Sequence, residues 1–444
     1  MRKLLLAAGL LLLALAFAAP AQAAPAGSPL IEVGLWSGQA NILLSAESDF
    51  SLVDAADKEI LGSFKAKDKV SVSFKDGRIL VNGKPTTARE VAVRKPDGAD
   101  QAAIEVNKRL YRGAITLHRT AGKNGLTVVN TLPVEQYLYG IIAKEISPAW
   151  PLEAVKAQAV AARTYAIYSL GKHHDDGYDV CATTDCQVYG GRTSEETRAI
   201  QAVDATFGLV AVYQGKPIPA YFHGSGGGYT ENSENVWGTA HPVLRAVVDY
   251  DDKSPHYRWE KAITTKELTE TLLSAGYNVG TLQTVELSVL TKPPVTAPDR
   301  GVSGRVKAIR FSGSGGSYLL TGNKLRSILS LNSTLFDVKV FLPTEKAVQL
   351  EITDRYSDKD IKTMEINVPP LPERNLPTDK PNVRRIGGRP NETVVFTGYG
   401  WGHGLGLSQW GAKAMADKAS PADTEYFKTI LKHYYSGIEI KKWY

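Results

Sequence analysis

The chain changes its hydrophobic rhythm at Pro133, and that change limits its fold more than any other feature. Before it, from Ile31 to about Val129, runs such as Ile31-Glu-Val-Gly-Leu-Trp, Val70-Ser-Val-Ser-Phe and Ala114-Ile-Thr-Leu-His lie between Gly, Asp and Lys punctuation. Their alternation has the two-residue period of half-buried strands. After it, Val134, Tyr137, Leu138, Ile141, Ile142 and Glu145 recur at the spacing of one helical face. A β-rich region that gives way to a helical core predicts an α+β body.

The first helix ends at Ser147-Pro148. A second opens at Trp150-Pro151, with proline in the first turn and Glu153 near the positive end of the dipole, and runs to about Leu170, where Gly171 stops it. Val155, Ala159, Ala162 and Ala166 give it a stripe of small side chains, and Lys156 and Arg163 lie above one another on a neighbouring face. Thr193 to Ala205 reads as a helix and Gly208 to Gln214 as a strand. Further on, a helix at Thr265–Ala275 mixes with strands such as Val306-Lys-Ala-Ile-Arg-Phe, and Pro369 to Pro390 forms a proline- and charge-rich connector.

At the N-terminus, Arg2 and Lys3 precede the apolar run Leu4 to Ala18, and Ala21-Gln22-Ala23 follows as a small-x-small cleavage site. Residues 1–23 therefore read as a secretory signal, with an uncleaved anchor as the alternative. No cysteine follows the site, which argues against a lipoprotein. Losing Arg2 and Lys3 would take the formal net charge from +6 to +4. That mild excess suits an anionic wall polymer, while the dispersed basic residues do not form a nucleic-acid stripe.

Glu145 is the most informative residue. A carboxylate on an apolar helix face is disfavoured in its ionised form, and glycosidic cleavage needs an acid tuned in that way. The competing reading pairs it with a cation such as Arg163. Lys156 and Arg163 are candidates to receive a saccharide or to balance Glu145, or else belong to a solvated face. In Tyr221-Phe-His-Gly-Ser-Gly-Gly-Gly, His223 or Ser225 could be presented on a glycine turn, or the backbone could form a nest for an oxyanion. A nucleophile elbow fails because histidine occupies position 223 where glycine is required. His403 sits in Gly400-Trp-Gly-His-Gly-Leu-Gly-Leu-Ser-Gln-Trp-Gly, where Trp401 and Trp410 suggest a stacking surface for sugar rings or a part of the core. Cys181 and Cys186, the only cysteines, allow either a disulfide or a zinc site completed by a histidine such as His174.

Five blocks carry a family resemblance: Val134-Glu-Gln-Tyr-Leu-Tyr-Gly-Ile-Ile-Ala-Lys-Glu-Ile, Trp150-Pro-Leu-Glu-Ala-Val-Lys-Ala-Gln-Ala-Val-Ala-Ala-Arg-Thr-Tyr-Ala, Cys186-Gln-Val-Tyr-Gly, Tyr221-Phe-His-Gly-Ser-Gly-Gly and Gly402-His-Gly-Leu-Gly-Leu-Ser-Gln-Trp-Gly-Ala. In this set and order the chain resembles the stage II sporulation protein D (SpoIID/LytB) family. The resemblance implies a lytic transglycosylase acting on peptidoglycan glycan strands stripped of stem peptides, with Glu145 as its acid and base. It sets Lys156 and Arg163 near that acid, and Gln158, His223, Ser225, His403 and Gln409 join them as candidate substrate contacts. Some members hold zinc in the loop that here contains Cys181 and Cys186, but Asp185 stands where those members have histidine. No cofactor is expected in catalysis, and any zinc would be structural.

The expected organisation is a signal at 1–23, a β-rich region at 28–129, a catalytic core at 130–250, an inserted α/β segment at 251–368, a linker at 369–392 and a Gly/His block at 393–444 that completes the core. An exported, wall-associated protein follows, membrane-anchored if the signal is uncut. Its expected partners are glycan strands and other wall hydrolases, not nucleic acid. The alternative function is that of a non-catalytic enhancer of a wall amidase.

Overall fold

The computed structural model describes residues 27–341, 348–352, 362–366, 382–387 and 392–444. The signal at 1–23 and most of the linker at 369–392 lie outside these residues. Mixed sheets and helices give the expected α+β architecture.

The N-terminal region forms two antiparallel-rich sheets. The larger runs, in spatial order, Val180–Cys181, Leu30–Gln39, Leu126–Pro133, Ala114–Arg119, Glu90–Arg94, Phe50–Asp54 and Ile60–Phe64. The smaller has Asn41–Ala46 and Val70–Lys75 at its centre. Alternate residues such as Ile31, Val33, Ile115 and Leu117 point inward and are fully buried. The same hydrophobic cluster continues through Val134, Leu138, Ala159 and Leu431, so the β-rich region and the helical core share one interior. A chain of rings from Trp36 through Tyr111 and Tyr189 to Tyr137 crosses that junction.

Helix α1, Val134–Glu145, is buried on every side from Val134 to Ile142, because it sits between the sheet and its neighbours α2, Leu152–Tyr168, and α3, Thr197–Ala205. Polar residues on these buried helices must then find partners inside the protein. Arg163 of α2 is wholly buried and grips Glu135 of α1 through two nitrogens, at 2.9 and 2.7 Å. It also donates to the carbonyls of Val203 and Leu209 and to Thr206. Glu135 in turn accepts from the Gly208 amide and the Tyr444 hydroxyl. Arg163 therefore faces Glu135 inside the fold, not Glu145 or a saccharide, which corrects the expectation from helical spacing.

Lys156 needs a similar correction. Its ammonium donates to Glu153 at 2.7 Å and to the Thr424 carbonyl at 2.8 Å, fastening α2 to the turn before the helix Tyr426–Tyr434. Gln158 is completely buried, and its side-chain amide has no partner among the described residues. Neither lines the groove at Glu145.

Residues between 259 and 396 build a second core around Phe311, Phe336 and Phe396. Two boundaries shift as a result. The strand Thr393–Tyr399 pairs with Arg258–Thr264 and Phe336–Phe341, and its Val394 and Phe396 are buried in the second core, not in the first. Within the expected linker, Val383–Arg385 forms a strand against Leu282–Glu286. The helix expected at Thr193–Ala205 begins only at Thr197, since Arg112 holds Glu195 in a bidentate ion pair at 2.6 and 2.7 Å outside the helix.

Arg163→Met would leave Glu135 charged, buried and without its partner, and should destabilise the protein by about 3–5 kcal/mol in urea unfolding. Adding Glu135→Leu should recover a large part of that loss.

Candidate active site

Glu145 is the last residue of α1, where the helix emerges from its buried surroundings. Its Oε1 accepts the Val188 amide at 3.2 Å, and Gln409 supplies a side-chain hydrogen bond. Burial pushes its pKa above the usual carboxylate range, and the two hydrogen bonds only partly oppose this. The carboxyl lines a groove of about 450 Å³ with His223, His403, Gln409, Tyr221, Trp237 and Trp401 among its walls. A second cavity of about 620 Å³ adjoins it, sharing Tyr165, Asp185, Tyr221 and Trp237 and continuing to Tyr168 and Lys172.

These walls come from segments far apart in sequence. Phe222–His223 runs parallel to Leu407–Ser408, and Ser225 bridges to Trp401, so the two glycine-rich blocks interlock. Gly400, Gly402, Gly404 and Gly406 all take left-handed φ, from +66° to +105°. A Cβ at Gly404 would lie 2.1 Å from the Arg305 Nε, and one at Gly406 2.1 Å from the Tyr221 carbonyl. The glycine spacing is thus a close-approach requirement. Arg305, a fully buried guanidinium from the inserted segment, donates to the Gly226 carbonyl at 2.8 Å and reaches the Gly402 carbonyl at 3.5 Å, joining both blocks from beneath.

The glycine nest expected near Ser225 is already filled by the protein itself. Asp251 accepts from the Ser225 hydroxyl and from the amides of Gly227 and Gly228, and Asp249 accepts from the Gly226 amide. Ser225 is buried and does not face the groove. Burial, together with the charge of Asp251, raises Asp249 to about 6.

His223 and His403 do reach the groove, with ring centres 5.4 Å apart. Burial, with the charge of Arg305 adding to it, lowers His403 to about 3, and burial, then His403 and Arg305, hold His223 well below its ordinary pKa. Both rings are neutral at physiological pH. The Nδ1 of His223 faces the Leu405 carbonyl at 3.1 Å, which assigns the proton to that nitrogen and leaves Nε2 as an unpartnered acceptor among the described residues. His403 has the opposite tautomer, since its Nδ1 accepts the Leu405 amide at 3.0 Å. The two tryptophans of the final block part company. Trp401 is 45% exposed at the groove, while Trp410 packs against Trp150 with ring centres 4.7 Å apart. The exposed groove partner of Trp401 is Trp237, which is 46% exposed.

At the groove edge His173, Cys181, Asp185 and Cys186 bring one ligand atom each within 4.8 Å of one another. The Cys181 and Cys186 sulfurs lie 2.6 Å apart and are not joined by a disulfide in this structure. His173, not the exposed His174, is the histidine of this cluster. Its ring stacks on Tyr178 and its Nδ1 meets Asp176, so that Nε2 faces Asp185 at 3.2 Å and Cys186 at 3.4 Å. Two sulfurs, an imidazole nitrogen oriented by a carboxylate and one carboxylate oxygen make a donor set suited to tetrahedral zinc. Asp185, which Lys172 also holds at 2.8 Å, is the fourth donor of this cluster.

Sequence reasoning missed Trp237 and Arg305 as site residues. The run of histidines and aspartates around Cys181 included His173 and Asp185, but spacing could not choose between His173 and His174.

The fold and the groove define a two-core α+β protein with the half-buried carboxyl of Glu145 facing aromatic walls. The chain matches the family model described as stage II sporulation protein over residues 122–213, and a domain of unknown function (DUF8618) over 231–354. An uncharacterized protein of Brachyspira hyodysenteriae is 32% identical over 316 residues, covering 71% of this chain and 68% of that protein. The stage II sporulation protein D of Bacillus subtilis is 27% identical over 74% of this chain and 79% of its own length. The amidase enhancer of Bacillus subtilis is 28% identical over 89% of this chain, which spans about half (52%) of that relative. The chain belongs to the stage II sporulation protein D family.

Because the Gln409 amide supports the charged form of Glu145, Gln409→Leu should move the Glu145 pKa further up. Carboxyl-carbon NMR titration of wild type and variant measures the shift.

Proposed function

We propose that this protein is a lytic transglycosylase that cuts peptidoglycan glycan strands, with a preference for strands stripped of stem peptides. The observation that carries this reading is the carboxyl of Glu145, biased toward its protonated form and opening into an aromatic-walled groove. Aromatic faces and neutral imidazoles suit sugar rings and their hydroxyl and acetamido groups. The protonated carboxyl donates to the glycosidic oxygen as the bond to the anomeric carbon breaks. As carboxylate it then takes the proton from the sugar's own 6-hydroxyl, whose oxygen closes on that carbon and leaves an anhydromuramyl end.

Hydrolases of the common types employ two carboxyl groups. Among the described groove residues the other one is Asp185, whose carboxylate is engaged by Lys172 at 2.8 Å and by His173 at 3.2 Å. That engagement favours a single acid. The amidase enhancer among the relatives supports a second reading, a non-catalytic wall protein that stimulates an amidase.

Mass spectrometry of denuded glycan digested by wild type and Glu145→Gln separates the two. Anhydromuramyl products should fall by about 10²–10⁴-fold in the variant while glycan binding persists. Ordinary reducing ends would overturn the transglycosylase, and full biological activity of Glu145→Gln would favour the enhancer.

In this reading the chain is exported, and is secreted, wall-associated or held at the membrane by an uncut leader. His173, Cys181, Asp185 and Cys186 hold a structural zinc that ties the loop to the sheet through the strand Val180–Cys181. Metal analysis should find one zinc per chain, lost together with thermal stability in Cys186→Ser. A metal-free protein whose two cysteines resist alkylation until reduced would instead establish a disulfide.

A further inference from the structure

The N-terminal sandwich opens into a cavity of about 770 Å³ that shares no lining residue with the groove. Its geometry follows from where two core-facing rows of side chains run out. On the strand Ala114–Arg119 the row passes through the buried Ile115 and Leu117 and ends at Arg119. On Glu90–Arg94 it passes through Val93 and Val91 and reaches Arg89, one residue before the strand begins. The ladder pairs Thr116 with Ala92, Leu117 with Val91 and His118 with Glu90, so its next step sets Arg119 opposite Arg89.

Two like charges facing each other across a strand pair are destabilising. The other sheet adds Arg78, at the start of the strand Arg78–Val81, to the same cavity. All three arginines are exposed, and none has a hydrogen-bond or ion-pair partner among the described residues. Arg119 lies over the Phe74 ring at 5.7 Å, which braces it at the rim. Glu90 is the one carboxylate in the lining, with His118 and the hydroxyl residues Thr86 and Thr87 alongside.

We propose that this cavity binds a phosphate group of an anionic wall polymer. A guanidinium offers a planar fork of donors that matches phosphate oxygens in pairs. An anion between Arg89 and Arg119 would turn their repulsion into two attractions, and the tetrahedral oxygens of a phosphate can serve Arg78 as well, where a planar carboxylate has only two. The site is open at its rim, so a polymer chain can pass across it. It would hold the protein on its matrix whatever chemistry takes place at Glu145.

The test uses the mature full-length chain and a fluorescent short-chain polyphosphate, with affinity followed by anisotropy. Arg89→Gln/Arg119→Gln should weaken binding by about tenfold or more, as expected for lost charge-assisted hydrogen bonds. Lys428→Gln/Lys432→Gln, which removes the same charge from the distant helix Tyr426–Tyr434, should leave it within about twofold. Polyphosphate should raise the melting temperature of wild type and not that of the arginine double variant. Should the double variant fail to fold, the exposed Arg78→Gln carries the same comparison. Absence of binding by wild type, equal losses in both double variants, or equally tight binding of polyglutamate at matched charge would each overturn the proposal.

Discussion

The buried ion pair between Glu135 and Arg163 is the contact that ties together the helices around Glu145. It joins the start of α1 to the middle of α2, and its remaining hydrogen bonds reach α3, the turn at Gly208 and the final residue Tyr444. Both groups are fully removed from solvent. Such a pair is retained only when nearly every donor and acceptor is engaged, because each desolvated charge costs several kcal/mol by itself. The geometry therefore fixes how α1 lies in the core and where its last residue, Glu145, emerges. A residue that looks like substrate machinery is the clamp that aims the acid.

A second buried cation plays a matching part on the far wall. Arg305 draws the Gly226 and Gly402 carbonyls together, while Asp249 and Asp251 satisfy the amides and hydroxyl of the Ser225 loop. The glycine-rich blocks contribute backbone conformations that allow close approach, and the charged residues beneath them supply the hydrogen-bond partners. The outcome is a dry bed that keeps His223 and His403 neutral. Their opposite tautomers give the wall an imidazole acceptor at His223 and leave His403 as a ring whose Nδ1 is already committed.

The element types before and after Pro133 were legible from periodicity, because a strand or helix imposes its spacing on neighbouring residues. Glu145 was legible for the same reason, as a carboxylate at the end of an apolar helical stripe. Arg163 and Lys156 were misread because spacing reports which face a residue occupies but not what packs against it. Ser225 was misread because the carboxylate that fills its nest lies further along the chain at Asp251. His174 and His173 are adjacent in sequence, and only the stacking on Tyr178 and the contact with Asp176 select His173.

The sequence by itself determined the family, the change from strands to helices at Pro133 and the place of Glu145 on the apolar face of its helix. Only the tertiary structure decided which polar residues face the groove, which cations are internal clamps, and which histidine meets the cysteines. It also moved the strand Thr393–Tyr399 into the second core. The physical reason is range. Backbone periodicity is set within a few residues, whereas the partner that satisfies a buried charge can be supplied from anywhere in the chain, and here Glu135 receives a hydrogen bond from Tyr444.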